Sequence, residues 1–210
     1  VSEVYASVQG ESTHAGKPCV FVRLTGCNLR CGWCDSAFTF TGGIHRDLDE
    51  VVAEVHAMGI HMVEVTGGEP LVQKNAPRLM ERLLELGHEV LLETSGSRDI
   101  GVVPDAVHVI CDFKPPDSGE VDANLWANID RLLPHHEVKF VLASRRDYEW
   151  ACEITRRHGL VDRVAAVLFS PVWGSLEAVE LADWIVADKL RVRFQIQLHK
   201  VLWDPDARGV

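Results

Sequence analysis

The sequence predicts an α/β protein built on a parallel sheet covered by helices. Short apolar runs alternate with longer amphipathic stretches along the whole chain. Strands alternating with helices imply parallel pairing. Unusual polar residues also gather directly after the apolar runs, and in parallel α/β folds the carboxyl ends of the strands form the active-site face.

The elements follow in order. Cys19 to Leu24 reads as a strand. Asp47 to Met58 reads as a helix: Leu48, Val51, Val52, Val55 and Met58 form one stripe, and Asp47 with Glu50 resembles a capping box. Met62 to Thr66 is the next strand. Pro77 to Leu86 is a helix with Leu79, Leu83 and Leu86 on one face and Gly87 as its stop. Val90–Glu93 and Val107–Cys111 are strands, Leu125–Leu133 is helical and Val138–Leu142 is a strand. Asp147–His158 is a helix ending at Gly159. Val164–Phe169 is a strand, Leu176–Val186 a helix and Val192–Gln197 a last strand. The cysteines follow the first of these strands, Thr66-Gly67-Gly68-Glu69 the second and Glu93-Thr94-Ser95-Gly96 the third. Lys114 follows the fourth and Ser170 the sixth. This placement points to an enzyme.

The 210 residues suffice for one domain, 1–210, with a sizeable core. No repeat, low-complexity tract or linker divides them. Charged residues at 25% and hydrophobic ones at 47% fit an ordinary globular protein. No apolar run approaches the ~20 residues that span a bilayer. Val1 to Tyr5 shows no basic segment followed by an apolar one, so neither a signal peptide nor a membrane is expected, and the expected location is cytoplasmic. The net charge of −10 disfavours broad nucleic-acid binding, which needs a basic face.

Six cysteines occur, three of them in Cys27-Asn28-Leu29-Arg30-Cys31-Gly32-Trp33-Cys34, a C-x3-C-x2-C loop. Clustered thiols in a chain of this kind suggest metal rather than disulfides. Cys19 and Cys111 lie in strand-like runs and read as small core residues. Three thiolates suit an iron–sulfur cluster with one iron left open. The alternative is zinc, with His45 as the nearest downstream fourth ligand, although no second C-x2-C knuckle exists.

The spacing, with aromatic Trp33 before the third cysteine, resembles the radical S-adenosylmethionine (SAM) superfamily signature. Thr66-Gly67-Gly68-Glu69-Pro70 is similar to its glycine-rich stretch. Further segments narrow the resemblance to the 7-carboxy-7-deazaguanine synthase family: Val8-Gln9-Gly10-Glu11, Phe21 to Cys27, Trp33 to Thr39, and the tail Gln195 to Lys200 with Leu202-Trp203 and Arg208-Gly209-Val210. The similarity runs from Val4 to Val210. It implies a partial, open and shortened β/α barrel of the radical SAM type. It also implies a homodimer, an external electron donor such as flavodoxin, and three cofactors: a 4Fe–4S cluster, SAM and Mg2+. The implied reaction contracts 6-carboxy-5,6,7,8-tetrahydropterin to 7-carboxy-7-deazaguanine, expels ammonia and regenerates SAM, on the route to queuosine and other deazapurines.

Carried over by position, the resemblance implies that Cys27, Cys31 and Cys34 hold the cluster and that Ser36 binds magnesium, a metal of hard oxygen ligands. Trp33, Cys34, Asp35, Gly68, Glu69, Thr94, Ser95, Lys114 and Ser170 would meet SAM or lie near it. Val8, Gln9, Gly10, Glu11, Thr66 and Glu93 would meet the pterin. Arg23 would pair with the substrate carboxylate, and Val210 would fold back toward substrate. From the residues alone, Gln9 and Glu11 would be a solvated turn, Arg23 a surface strand charge and His199 a satisfied, partly buried histidine. Two departures stand out: Ser12 replaces a common glycine, and Asp112-Phe113-Lys114-Pro115-Pro116 replaces S-P-K-P. The D-x-K pattern also resembles glycyl-radical activating enzymes, the nearest rival. A non-catalytic zinc scaffold is the rival of another class.

Overall fold

The computed structural model describes residues 1–210. One eight-stranded sheet runs in chain order: β1 (Glu3–Val8), β2 (Pro18–Leu24), β3 (Met62–Gly67), β4 (Glu89–Thr94), β5 (His108–Asp112), β6 (Glu137–Leu142), β7 (Ala166–Pro171) and β8 (Arg193–Phe194). From β2 to β8 every pair is parallel, while β1 lies antiparallel to β2 in the register Glu3↔Arg23 to Val8↔Pro18. The first and last strands do not pair, so the barrel is open.

Side chains alternate across a strand, so each strand serves two layers. Val20, Val63, Leu92, Val109, Phe140 and Phe169 face outward into a core of 35 buried residues shared with the helices. Cys19, Phe21, Met62, Leu91, Ile110 and Leu168 form a separate apolar layer on the inner face. Cys19 and Cys111 are core residues, as expected. The helices are α1 (Leu48–Ala57), α2 (Ala76–Glu85), α3 (Arg145–Arg157), α4 (Ala178–Ala187) and α5 (His199–Leu202). Asp47 caps α1 by accepting from Asp49 N at 2.9 Å, a contact worth about 1 kcal/mol. Glu50 makes no return bond, so the box is half formed. Gly87 and Gly159 end α2 and α3 with φ of +84° and +58°, a region that favours glycine. No helix is long and apolar enough to cross a membrane.

Most expected elements shift by one or two residues at their ends. Four readings are corrected. β1 was not foreseen: it is a half-buried edge strand that lacks a continuous apolar run, and its Tyr5 stacks on Phe21. Leu125–Leu133 makes only a 3-10 turn, Trp126–Arg131, because Asn128 turns inward to bond the backbone at Gly96, Arg98 and Ile100. The last strand shrinks to two residues, and just beyond it the Gln195 and Gln197 side chains reach across to Ser12 and Glu11. Leu86 lies beyond the buried face of α2 and is exposed.

Candidate active site

The carboxyl ends of β2 to β6 surround one cavity of about 270 Å³, a small molecule's space rather than a polymer's. Three irregular segments complete its wall: the loop after β1, the cysteine loop after β2, and the C-terminal segment.

The first half of the first loop is buried: Gln9, Gly10 and Ser12 are shielded and Glu11 is only partly exposed. The Gln9 amide donates to the Glu64 carboxyl, and its oxygen accepts from Glu11 N at 3.0 Å. Glu11 accepts from Lys139 Nζ at 3.0 Å and from the amides of Gln195 and Gln197, both at 3.2 Å. The loop is therefore no solvated turn. Gly10 packs against the ring of His199, and any Cβ there would collide with it.

Lys139 is the centre of this chemistry. Its side chain is 4% exposed, pairs with Glu11 and Glu93, and lies 3.7 Å from Asp112. Burial alone would lower its pKa, but these three carboxylates outweigh burial and raise it well above the usual lysine value. Burial would likewise raise Glu11, yet Lys139 holds it below the usual carboxylate range. Glu64 has no such partner. Burial, then the charges of Glu93 and Glu11, push it well above that range. Asp112 accepts from Lys114 Nζ at 2.8 Å.

Arg23 is half-buried rather than a surface charge. Its Nε donates to Glu3 at 3.1 Å and its Nη2 to the Tyr5 hydroxyl at 2.7 Å. Phe38 lies below the guanidinium at 5.9 Å.

The cysteine loop is braced by its own backbone. Arg30 folds back onto the carbonyls of Cys27 and Leu29, and Gly32 N donates to Ser118 O at 3.0 Å. All three thiols line the cavity. The three sulfurs do not all lie within 4.8 Å of one another. One zinc ion, with Zn–S near ~2.3 Å, would need closer approach; thiolates on separate irons of a cluster do not. His45 lines a different hollow beside Val1 and Leu48, so the zinc reading with His45 is overturned.

Gly67 and Gly68 let β3 reach this loop. Gly67 has φ +150°, and a Cβ on Gly68 would strike Gly26 O and the Cys27 side chain. Glu69 lies deeper than its motif neighbours. It is fully buried behind the wall, accepting from Leu71 N (2.9 Å), Thr94 Oγ1 (2.9 Å), Ser95 N (2.7 Å) and Ser95 Oγ (2.6 Å). It positions Thr94 and Ser95, which do line the cavity. Ser170 also stays off the wall, with its hydroxyl buried and unpartnered.

The C-terminal segment closes one side. Lys200 Nζ donates to Asp35 at 2.8 Å and Gln197 donates at 3.2 Å; Lys200 outweighs burial and lowers the Asp35 pKa. Ser36 donates to the other Asp35 oxygen at 3.1 Å. Arg208 lies 4.1 Å over Phe38, and Val210 reaches the rim. Val8, Trp33, Thr66 and Lys114 also line the cavity. Glu64, Lys139, Gln197, Lys200 and Glu3 were not foreseen. For Glu64 and Lys139 the available signal was a charge set within an otherwise apolar strand run, and for Gln197 and Lys200 it was their place in the Gln195–Lys200 tail.

An open parallel barrel with three thiols and a glycine turn at its carboxyl face defines a radical SAM enzyme, and the model described as "Radical SAM superfamily" matches residues 21–164. The fold agrees with the crystal structure of QueE from Escherichia coli: TM-score 0.76, 21% identity, covering 95% of this chain and 93% of that one. A 7-carboxy-7-deazaguanine synthase from Koribacter versatilis (strain Ellin345) is 47% identical over all of this chain and 99% of its own length. Another, from Chlorobaculum tepidum, is 43% identical over all of this chain and 96% of its own. The chain belongs to the 7-carboxy-7-deazaguanine synthase family.

Proposed function

We propose that the chain catalyses the radical ring contraction of 6-carboxy-5,6,7,8-tetrahydropterin to 7-carboxy-7-deazaguanine with release of ammonia, in queuosine or other deazapurine synthesis. One observation carries this reading: a single cavity joins the Val8–Glu11 loop, Arg23 and the three thiols.

Cys27, Cys31 and Cys34 would hold a 4Fe–4S cluster, which with SAM bound beside it would supply the radical chemistry that removes a hydrogen atom from the substrate. The chain's own residues position the reactants. Gly68 offers backbone to SAM. Thr94 and Ser95 donate their protons to Glu69 and so present oxygen lone pairs as acceptors. Trp33 and Asp35 border the adenosyl side, and Lys114 lies near it.

Gln9, Glu11, Thr66 and Glu93 surround the pterin. Glu64 holds its proton more tightly than an ordinary carboxyl, so it adds a donor where Glu11 supplies an acceptor. Arg23 spends two donors on Glu3 and Tyr5 and turns the rest to the substrate carboxylate. Ser36 would supply a hard oxygen to Mg2+. An external electron donor such as flavodoxin reduces the cluster, a reading supported by the exposure of Asn28, Arg30 and Gly32 on the cysteine loop. The chain forms a homodimer; exposed Val179 and Val186, seven residues apart on α4, offer an apolar stripe for it. It works in the cytoplasm, without nucleic acid or membrane.

The test is an anaerobic assay of reconstituted protein with SAM, magnesium, dithionite and the pterin, read by mass spectrometry. The deazaguanine product is expected, and Cys31→Ala abolishes it. SAM cleavage without that product would refute this substrate and bring forward the glycyl-radical activase reading.

A further inference from the structure

At the amino ends of the strands, across the inner apolar layer from the cavity, a second group of ligand side chains converges. Glu89 opens β4, His108 opens β5 and Glu137 opens β6. Each shares the inner face with Glu93, Asp112 and Lys139, because residues two or four apart face the same way. The loop after β1 continues past Glu11 and sets His14 onto this group.

Candidate ligand atoms of His14, His108 and Glu137 all lie within 4.8 Å of one another, the only such set of His, Cys, Asp or Glu in the protein. His108 Nε2 is 3.0 Å from Glu137 Oε1. The two imidazoles meet edge to face with centroids 4.7 Å apart. His14 Nδ1 is 3.6 Å from Glu89 Oε1, which brings a second carboxylate. The Glu137 side chain has no solvent exposure. Thr13 N donates to both of its oxygens at 3.2 and 3.3 Å, the supporting bonds that orient a ligating carboxylate. Lys17 Nζ lies 3.0 Å from His14 Nδ1 and 4.0 Å from Glu89. A positive charge already occupies the gap between those ligands, and it sits on a half-exposed side chain that a metal can displace.

We propose that His14, His108 and Glu137, with Glu89 as fourth ligand, form a binding site for a zinc-class divalent transition-metal ion, separate from the iron–sulfur and magnesium centres. Two imidazoles with carboxylates select such an ion over Mg2+ or Ca2+, which take oxygen alone. Thr13 and His14 follow Glu11 directly, so the bound metal anchors the loop that carries Gln9 and Glu11.

The test uses tag-free holoenzyme with cluster and SAM in place, so that Cys27, Cys31 and Cys34 are already occupied. It is titrated with Zn2+, gel-filtered and analysed for zinc and iron. One zinc per chain beyond the iron is expected. His14→Gln and His108→Gln each weaken zinc affinity by at least the roughly tenfold that loss of even a supporting contact costs. His45→Ala keeps wild-type affinity, and iron content is unchanged in all three. His14 lies on a loop, so its variant remains informative if His108→Gln fails to fold. Zinc also slows amide exchange across residues 12–16 in the wild type and not in His14→Gln. No retained zinc at micromolar protein, or equal retention by wild type and His14→Gln, would overturn the site.

Discussion

The two faces of β6 differ more than any two regions of the molecule. Val138, Phe140 and Leu142 point outward into the helix-covered core, each with no solvent exposure. Glu137 and Lys139 point inward, almost equally buried, yet both are ionisable residues held by polar partners: Glu137 by His108 and Thr13, Lys139 by Glu11 and Glu93. The outer face is set by volume and the inner face by charge pairing. A parallel strand covered on both sides usually reads as a continuous apolar run. Where it does not, the interruption marks a face built for something other than cohesion.

The largest expected effect breaks the outer face. Phe140→Ala removes a fully buried ring and costs about 3–5 kcal/mol in urea unfolding, by the same amount at pH 5.5 and pH 8. A pH-dependent loss would show that the two faces are not separable.

Lys139→Met comes next. It leaves Glu11, Glu93 and Asp112 without their shared cation, so kcat/KM falls about a hundredfold through misplaced substrate groups. In the wild type the folded Lys139 pKa is raised, so its contribution is fully present below the unfolded lysine value and lost only above the folded one. In the variant the uncompensated carboxyls bind protons more readily folded than unfolded. Its stability deficit therefore shrinks as pH falls, which paired denaturation curves at pH 5.5 and 8 would show. A constant deficit refutes the charge account.

Glu64→Gln has the opposite sign. The folded Glu64 pKa is raised by burial, then by Glu93 and Glu11, so the wild type loses stability as pH climbs from the ordinary carboxylate value toward the folded one. Glutamine keeps the shape without the charge. The variant matches wild type at low pH and becomes more stable at pH 8; equal stability at both would mean that Glu64 ionises freely.

The smallest effect is at the rim. Ser36→Ala raises the magnesium needed for half-maximal activity by roughly three- to tenfold, the weight of one neutral oxygen among several ligands. An unchanged magnesium response removes Ser36 from the metal's shell.

The same contrast explains what was legible in the sequence. Outer-face residues come with strong periodicity, so β2 to β7 and the four longer helices could be read within two residues. The cysteine loop and the Thr66–Pro70 turn were legible because fixed chemistry needs fixed spacing. β1 was not, because an edge strand needs only half a buried face. Lys139 and Glu64 were missed because a charge inside a strand run carries no motif, and its partners lie far off in sequence: Lys139 meets Glu11 from 128 positions away. The setting of Glu69 was hidden for a related reason. Its neighbours in the motif face the cavity, but its carboxylate is used up by Thr94 and Ser95.

The loop after β1 has a consequence for biosynthesis. Its anchors are remote: Ser12 bonds Gln195 from 183 positions away, Thr13 bonds Glu137 from 124, and Gln197 reaches Glu11 from 186. The segment leaves the ribosome before Glu137, Gln195 and Gln197, and contacts this distant in sequence form late. A nascent chain can pair β1 with β2 early while Gln9 and Glu11 still wander. The substrate pocket thus comes into being in a single late docking event, and a chain stalled before residue 195 would carry its sheet without its specificity.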